Sequence, residues 1–202
     1  MLVVISNPTA IADEAALINN LFDAGLEVLH VRKSGVVAEE IIELLEKIKP
    51  RYHNRIALHQ CHELADDFGI KRLHYTATHR EERTTEALIK RKQEDYIMST
   101  SIHSVEEYNE LPDLFDYCFF GPVFNSISKP GYASVVTDNY IFPVRENKPK
   151  VVGIGGINTT NIFKLKEMQF SGAAVLGSIW QKPGESILQF KTLQQAWKET
   201  DR

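Results

Sequence analysis

Short apolar segments rich in β-branched residues alternate with segments of helical periodicity along nearly the whole chain, and this alternation restricts the folds open to it. Eight strands are predicted, at residues 2–6, 27–32, 55–59, 70–75, 95–99, 116–120, 150–154 and 173–176. The helical periodicity predicts helices over 13–24, 38–48, 62–68, 85–92, 159–168 and 186–198, a helix capped by Ser104, and a weak helix near 139–145. Eight strand–helix repeats in 202 residues favour a compact (β/α)8 barrel, the TIM barrel, over a doubly wound open sheet.

The turn after the first predicted strand supports the barrel. An open doubly wound sheet usually carries a glycine-rich dinucleotide-binding turn at this point, whereas residues 6–9 read Ser-Asn-Pro-Thr. No break in composition marks a domain boundary along the chain. We therefore predict a single (β/α)8 barrel domain over residues 1–202.

Composition and charge argue against several classes of function. There are 27 Asp and Glu residues against 23 Lys and Arg residues, and the net charge of −4 does not suggest the basic face that nucleic acid binding requires. No apolar run reaches the roughly 18 residues of a membrane-spanning helix, and the N-terminal residues do not resemble a signal peptide. Cys61 and Cys118 are expected to be reduced thiols. We predict a cytoplasmic protein that binds neither nucleic acid nor membranes.

Two glycine-rich turns follow the seventh and eighth predicted strands, at the end of the barrel where TIM-barrel active sites lie. Residues 151–157 read Val-Val-Gly-Ile-Gly-Gly-Ile, and residues 172–179 read Gly-Ala-Ala-Val-Leu-Gly-Ser-Ile. Glycine lets the backbone approach a ligand closely, and amides at the start of a helix point towards an anion. The pair predicts a phosphate site, and two tight turns without a ligand are the alternative.

The loop after the sixth strand, residues 121–131, is rich in glycine, proline and serine. Ser126 and Ser128 precede Lys129, and two hydroxyls and an ammonium group can together hold phosphate oxygens. A loop of this length can also close over a substrate. The alternative is a surface loop that is rich in turn-forming residues.

Charged residues end the second predicted strand, where residues 30–33 read His-Val-Arg-Lys. Strand alternation sends His30 and Arg32 to one side and Lys33 to the other. An arginine at a strand end can reach the ligand and suits bidentate phosphate binding. The alternative is an ion pair with the neighbouring helix.

Several histidines lie at predicted strand ends or just beyond them. His30, His59, His74 and His79 are candidates for polar lining or for proton transfer, because imidazole titrates near neutral pH. Their spacing matches none of the established zinc motifs. The sequence does not determine which of them faces a ligand.

These segments together resemble the thiamine phosphate synthase family, which includes the related thiazole tautomerase branch. The resemblance covers nearly the whole chain and is carried by residues 30–33, 101–107, 121–129, 152–157 and 172–179. It implies a (β/α)8 barrel that uses magnesium to join a pyrimidine diphosphate to a thiazole phosphate. The implied products are thiamine phosphate and pyrophosphate.

The resemblance also implies roles for individual residues. The family's Thr-X-Thr-Lys loop, which binds the thiazole phosphate and the diphosphate, corresponds here to Ser126, Ile127, Ser128 and Lys129. The family's pyrimidine diphosphate subsite corresponds to Arg32 and Ser101. The backbone amides that hold the thiazole phosphate correspond to those of Gly156, Leu176 and Gly177.

The chain departs from the family pattern where the family binds magnesium. After the third strand the family has an asparagine and a metal-binding aspartate, and this chain has His59 and Gln60. A second metal-binding aspartate is replaced by His79 or Thr78, and the glutamine before the arginine is replaced by His30. The resemblance thus implies magnesium while its usual aspartate ligands are absent. Magnesium binding would rely on the substrate phosphates, water and Gln60. Cationic side chains would replace part of the function of the magnesium ion.

The leading prediction is a synthase acting on small-molecule phosphates. Its predicted catalytic residues are Arg32, Lys129 and His59. Its predicted substrate-binding residues are His30, Lys33, Gln60, Ser101, Ser126, Ile127, Ser128, Gly156, Leu176 and Gly177. The sequence assigns no metal ligand and leaves a homo-oligomer open.

Two alternatives stay open. The first is a metal-independent thiazole tautomerase, which needs a phosphate anchor and a proton carrier such as His30, His59 or His74. The tautomerases carry a histidine just after the glycine of loop 6, where this chain has Pro122. The second alternative is a relative that binds a phosphate ligand without catalysis.

Overall fold

Eight parallel strands close into a barrel in the computed structural model, which describes residues 1–125, 134–137 and 139–199. The strands are β1 (Leu2–Ile5), β2 (Val28–Val31), β3 (Ile56–Leu58), β4 (Arg72–Tyr75), β5 (Ile97–Ile102), β6 (Tyr117–Phe120), β7 (Lys150–Ile154) and β8 (Gly172–Val175). Each strand pairs in parallel with the next, and β8 pairs with β1 through Leu2 and Ala173. The prediction of a (β/α)8 barrel is confirmed, while the extent of the domain over 1–202 stays a prediction.

Helices connect most of the strands on the outside of the barrel. They are α1 (Glu14–Asp23), α2 (Ala38–Lys47), α3 (Leu64–Asp67), α4 (Ala77–Glu81), α5 (Thr85–Gln93), α6 (Val105–Glu110), α7 (Lys164–Glu167), α8 (Gly177–Trp180) and α9 (Ser186–Glu199). Two short 3₁₀ helices span Pro50–Arg55 and Pro183–Glu185. The Ser104 hydroxyl accepts a hydrogen bond from the Glu107 amide at 3.1 Å and so caps α6, as its sequence position predicts.

The predicted weak helix near 139–145 is wrong, because the described residues of this segment form no helix. Pro143 lies in its middle, and proline disfavours the helical conformation of the residue before it. Phe142 instead enters the core, fully buried, and its amide donates to the carbonyl oxygen of Met168 at 3.0 Å. Burial of this ring fixes the segment as an extended connection to β7.

The apolar core has two parts, which follow from the two faces of each strand. Inside the barrel, the packed side chains are those of Val3, Ile5, Val28, Ala57, Tyr117, Phe119, Val152 and Ala174. The opposite faces of the strands pack against the helices in a larger outer layer. Because side chains alternate along a strand, each strand sends its last inward residues towards the same end of the barrel. None of the helices in the described residues is long and apolar enough to cross a membrane.

Candidate functional site

A cavity of about 870 Å³ opens at the carboxyl ends of the strands. All eight strands or the loops that follow them contribute to its wall, through Ile5, Arg32, His59, His74, Ser101, Phe119, Pro122, Gly156 and Gly177 among others. This is the end of the barrel at which TIM-barrel enzymes bind their substrates. The cavity is therefore the candidate active site.

The turn after β7 is held close to the loop after β6. Gly155 and Gly156 have positive φ values of 95° and 65°, which favour glycine. A Cβ atom on Gly155 would lie 2.7 Å from Pro122, and one on Gly156 would lie 2.5 Å from the carbonyl oxygens of Phe124 and Asn125. The conformation and the close packing of these turns thus both require glycine here.

Two backbone amides in the glycine turns at the cavity wall have no acceptor among the described residues. Gly156 and Gly177 both line the cavity, and within the described part of the chain neither amide N–H donates a hydrogen bond. The Ser178 hydroxyl is also buried without a partner among these residues. The indole of Trp180 fixes the start of α8 by donating to the carbonyl oxygen of Ile5 at 2.7 Å. The two turns therefore form a rigid group of donors that suits an anion.

Arg32 follows β2 on the wall of the same cavity, and its side chain is exposed. Its backbone is anchored by Ser6, whose hydroxyl accepts from the Arg32 amide at 2.9 Å and donates to its carbonyl oxygen at 3.0 Å. The side chain is exposed and has no ion pair or hydrogen bond among the residues that the structure describes. A second cation on the wall, Lys182, is paired with Glu185 at 3.3 Å.

Lys33 and Gln60 lie away from this cavity. The Lys33 ammonium is buried, contacts both carboxylate oxygens of Glu14 at 2.5 and 2.6 Å, and donates to the carbonyl oxygen of Asn7 at 2.9 Å. Gln60 uses its amide group to bind the carbonyl oxygen of Lys33 at 2.7 Å. These contacts match the alternative of an ion pair with the neighbouring helix, and they give no support to substrate binding by Lys33.

Three buried histidines, His30, His59 and His74, pack together at the base of the cavity. Nδ1 of His30 lies 2.9 Å from Nε2 of His59, and Nε2 of His30 lies 2.7 Å from the hydroxyl of Tyr117. The ring of His74 lies between two serines, 2.9 Å from Ser99 Oγ and 3.0 Å from Ser101 Oγ. His59, His74 and Ser101 line the cavity, whereas His30 lies deeper and is fully buried.

Burial keeps these imidazoles neutral. It lowers the pKa of His30 to about 3, with a smaller contribution from the positive charge of Arg72. Burial also lowers the pKa values of His59 and His74 well below the usual range, and the neighbouring imidazoles lower them further. Nδ1 of His59 is buried and has no partner among the described residues. Each neutral imidazole therefore offers one N–H donor and one acceptor nitrogen.

One ring nitrogen from each of the three histidines falls within 4.8 Å of the others, the spacing of a metal-binding group. The rings of His59 and His74 are stacked, however, with centroids 4.0 Å apart and an interplanar angle of 23°. A nitrogen lone pair lies in the plane of its ring, so two stacked rings direct their lone pairs side by side and not at one ion. The cluster is arranged for hydrogen bonding and not for coordination.

Tyr117 and Lys182 are the residues in or below the site that sequence reasoning missed. Tyr117 lies in the strand sequence Tyr-Cys-Phe-Phe, in which every residue is apolar or aromatic and alternation gives no sign of a polar interior. Ser178 directly follows Gly177 in the predicted phosphate turn and belongs to the strand-end candidates of the sequence. The predicted loop residues Ser126, Ile127, Ser128 and Lys129 lie outside the described residues, and so their binding and catalytic roles stay predictions.

A family model described as thiamine monophosphate synthase matches residues 2–179. The chain belongs to the thiamine monophosphate synthase family. The match confirms the resemblance carried by the sequence motifs. It also confirms that the chain belongs to a family of thiamine-biosynthesis enzymes.

Individual relatives agree with this family. The thiamine-phosphate synthase of Oceanobacillus iheyensis is 33% identical over 86 residues, which cover 41% of this chain and 42% of the relative. The matched part thus spans about two fifths of the length of the first curated relatives. The thiamine phosphate pyrophosphorylase of Bacteroides thetaiotaomicron has a TM-score of 0.75 and 28% identity, with 98% and 97% of the two chains covered. That of Pyrococcus furiosus, with a TM-score of 0.77 and 17% identity over 98% and 96% of the chains, shows the same fold.

The family is generally magnesium-dependent, and the described residues do not fit that ion. Magnesium prefers oxygen ligands, usually carboxylates. Among the described residues that line the cavity, Glu185 is the only carboxylate, and it is paired with Lys182. Of the two family aspartate positions, one carries the amide of Gln60, which is turned to Lys33, and the other carries His79 or Thr78. This member of the thiamine monophosphate synthase family therefore lacks a carboxylate-built magnesium site in its described part.

Proposed function

We propose that the protein is a thiamine phosphate synthase, which joins a hydroxymethylpyrimidine diphosphate to a thiazole phosphate and releases pyrophosphate. The observation that carries the proposal is the pair of glycine turns in one cavity wall. The amides of Gly156 and Gly177 and the guanidinium of Arg32 on this wall have no hydrogen-bond partner among the described residues. Two separate anion sites in one cavity are what a reaction between a monophosphate and a diphosphate requires.

The thiazole phosphate would be bound by the glycine turns. The amides of Gly156 and Gly177 and the Ser178 hydroxyl are donors without acceptors in the part of the chain that the structure describes, and a bound phosphate would satisfy them. Hydrogen bonds from several fixed donors orient the phosphate and hence the thiazole ring attached to it. The sequence assigns Leu176 to the same turn, and its side chain lines the cavity beside Gly177.

The diphosphate would leave from the pyrimidine methylene group next to cationic side chains. The bond between the methylene carbon and oxygen breaks with its electron pair going to the diphosphate, and the lone pair of the thiazole nitrogen then forms the new carbon–nitrogen bond. Arg32 would bind the departing diphosphate, together with Lys129 of the loop after β6. Fixed cations at the place where charge develops lower the barrier of such a step. No protein nucleophile is needed.

Purified protein assayed with both substrates tests the synthase proposal. We expect thiamine phosphate to form, and we expect Arg32→Gln and Lys129→Ala each to lower kcat/KM by about 10²–10³-fold, the usual effect of removing one charge-stabilising group. Arg55→Gln is the matched control, because the Arg55 side chain binds the carbonyl oxygen of Glu27, a residue that does not line the cavity. Product formation by the wild type no faster than by Lys129→Ala would contradict the proposal.

A second candidate is the thiazole tautomerase, and one observation favours it. Nδ1 of His59 is a buried ring nitrogen without a partner among the described residues, and the His59 side chain lines the cavity. Such a nitrogen can take a proton from a bound ring or give one to it. This activity would need no metal and would persist in the presence of a chelator. Binding of the phosphate ligands without turnover of either reaction would instead favour a non-catalytic relative.

The remaining proposals concern the surroundings of the protein. The net charge of −4 supports small-molecule phosphates over nucleic acid as ligands. Cys61 and Cys118 are both free thiols, in agreement with a cytoplasmic location. We also keep the single domain over 1–202 as a proposal.

A further inference from the structure

We propose that this chain binds the diphosphate of its substrate directly through Arg32, without a magnesium ion held by protein carboxylates, and that Ser6 and Gln60 are positioning residues that fix Arg32 for this purpose. The inference rests on the proposed function, because that function supplies the diphosphate. Binding of inorganic pyrophosphate tests it separately from the coupling reaction.

The charged side chains on the cavity wall suit an anion better than a divalent cation. Among the described residues of this wall, the lysine and arginine side chains are Arg32 and Lys182, and the carboxylate is Glu185. Lys182 and Glu185 are paired with each other at 3.3 Å. Of these three charged side chains, Arg32 alone has no ion-pair partner in the described part of the chain, so the wall carries one uncompensated positive charge.

The residues that the structure does not describe add little negative charge to this balance. Residues 126–133 contain Lys129 and no aspartate or glutamate in their sequence. The remaining acidic residues outside the described ranges are Asp138 and Asp201, and their described neighbours in the sequence do not line the cavity. A magnesium site built from carboxylates therefore has no candidate ligand set at the barrel mouth, whereas an anion has a cation ready to bind it.

The Ser6 hydroxyl holds both backbone groups of Arg32. Ser6 follows β1 and is fully buried. Its Oγ accepts a hydrogen bond from the Arg32 amide at 2.9 Å and donates one to the Arg32 carbonyl oxygen at 3.0 Å. The Ser6 amide donates to the carbonyl oxygen of His30 at 2.8 Å, which extends the pairing of β1 with β2. One hydroxyl thus anchors the backbone from which the arginine side chain extends.

Gln60 holds the next residue from the neighbouring strand on the other side. It follows β3, and its side-chain amide donates to the carbonyl oxygen of Lys33 at 2.7 Å. The amide of His59 donates to the carbonyl oxygen of Val31 at 3.1 Å. The ends of β1 and β3 therefore fix residues 32–33 from both sides. Gln60 stands at a family aspartate position, and here its side chain stabilises the segment that carries the arginine.

The positive charge of Arg32 acts at the base of the cavity. Burial is the main cause of the low pKa values of His59 and His74, the neighbouring imidazoles come next, and the charge of Arg32 lowers these pKa values further. The guanidinium therefore lies near enough to the two rings to influence them. Because these imidazoles are neutral, they provide no positive charge that could take the place of the arginine.

A guanidinium group can neutralise a diphosphate without help from a metal ion. It stays charged at every working pH, and its N–H donors form a fork that matches two phosphate oxygens. Fixing the arginine before the ligand arrives lowers the cost of ordering it on binding. The contacts of Ser6 and Gln60 supply this fixation at the backbone.

Calorimetric titration of the purified protein with inorganic pyrophosphate tests the direct binding. We expect pyrophosphate to bind at least as tightly in EDTA as in magnesium chloride, because magnesium would compete with Arg32 for the same phosphate oxygens. In EDTA, Arg32→Gln should raise Kd by about 10–100-fold, the effect of losing hydrogen bonds from a charged group. Tighter binding in magnesium than in EDTA, or an unchanged Kd in Arg32→Gln, would overturn the proposal.

The variants Ser6→Ala and Gln60→Ala test the positioning roles. Each should raise the Kd of pyrophosphate by about 2–10-fold, the usual cost of immobilising one mobile side chain on binding. Neither should raise Kd further in an Arg32→Gln background, because no arginine is left to position. Parental affinity in both single variants, or equal losses with and without Arg32, would overturn the positioning roles.

Asn19→Ala is the matched control for a general loss of stability. The Asn19 side chain also bonds two backbone groups, since it donates to the carbonyl oxygen of Lys47 at 3.1 Å and accepts from the amide of Lys49 at 2.9 Å. It does not line the cavity at the strand ends. We expect Asn19→Ala to lower the free energy of unfolding and to leave pyrophosphate binding unchanged. An affinity loss equal to that of Ser6→Ala would overturn the positioning role of Ser6.

The coupling assay distinguishes failure of this inference from failure of the proposed function. Formation of thiamine phosphate by a protein that binds pyrophosphate more tightly with magnesium would overturn direct binding and leave the synthase intact. Tight pyrophosphate binding in EDTA that depends on Arg32, without any formation of thiamine phosphate, would support direct binding and contradict the synthase.

Discussion

Nδ1 of His30 and Nε2 of His59 lie 2.9 Å apart inside a barrel that exposes almost nothing of either ring. The stacked ring of His74 completes the group. All three imidazoles are neutral in the folded protein, because burial lowers their pKa values. Unfolding releases them into water, where histidine has a pKa of about 6.5.

The cluster predicts that the protein loses stability in mild acid. Below about pH 6.5 the histidines of the unfolded chain bind protons, whereas the buried histidines of the folded protein do not. The free energy of unfolding therefore falls as the pH falls. Each of the three histidines contributes a slope of about 1.4 kcal/mol per pH unit until the pH reaches its folded pKa, which is about 3 for His30. Urea unfolding between pH 7.5 and 5 measures this slope. Burial also lowers the pKa of His62, to about 4, so His62 contributes in the same way. His59→Gln removes one of these four groups and is expected to flatten the slope by about a quarter, whereas an unchanged slope would contradict the assignment.

A second prediction concerns the packing of the glycine turn after β7. Gly156→Ala would place a Cβ atom 2.5 Å from two carbonyl oxygens, in a backbone with a φ of 65°. Gly69→Ala is the matched control, because its φ is 64° and nothing lies within 4 Å of the added atom. We expect Gly69→Ala to lower the free energy of unfolding by about 1–2 kcal/mol through backbone conformation alone.

The loss in Gly156→Ala should exceed that of the control by at least about 1 kcal/mol, the usual cost of overpacking. Binding of the thiazole phosphate should weaken as well, since the amide of Gly156 would have to move. Urea unfolding and calorimetric titration measure the two effects. Equal losses of stability in the two variants would mean that Phe124 and Asn125 can move away from the added Cβ atom without lowering the free energy of unfolding.

The sequence predicts the barrel and its phosphate turns more fully than it predicts the hydrogen-bond network inside. β-branched runs identify the eight strands, and glycines after the last two identify the turns, because both signals are local. Tyr117 is hidden by the aromatic sequence of β6, and its role depends on its pairing with residues of other strands. Lys33 was placed by alternation on the side opposite Arg32, but its partner Glu14 lies 19 residues away and is brought to it by the packing of α1.

The Lys33–Glu14 pair carries a third prediction. Both side chains are more than nine-tenths buried. Burial raises the pKa of Glu14, and the hydrogen bond and charge of Lys33 offset only part of this increase. Lys33→Met leaves the carboxyl buried without its partner, so we expect the free energy of unfolding to fall by about 3–5 kcal/mol. The double variant Lys33→Met/Glu14→Leu removes both charges and should recover most of that loss.

The same variants separate a structural role from substrate binding. Lys33 does not line the cavity at the carboxyl ends of the strands, so the double variant should keep the KM values of the parent for both phosphate substrates. Steady-state kinetics at a temperature where both proteins are folded measures this. A raised KM for the pyrimidine diphosphate would instead support the role in substrate binding that the sequence assigns to Lys33.

The Ser178 hydroxyl carries the last prediction, because it is buried at the cavity without a partner among the described residues. An unsatisfied buried hydroxyl stabilises nothing in the free protein, so Ser178→Ala should leave the free energy of unfolding unchanged or slightly higher. A bound phosphate would satisfy that hydroxyl, and losing one hydrogen bond to a charged group costs about 1.5–3 kcal/mol, or about 10–100-fold in Kd. Ser186→Ala is the matched control, since Ser186 Oγ is also buried and unpartnered but does not line the cavity. Calorimetric titration should therefore show weaker binding of the thiazole phosphate to Ser178→Ala alone. Equal affinities in both variants would indicate that the phosphate does not bind at this turn.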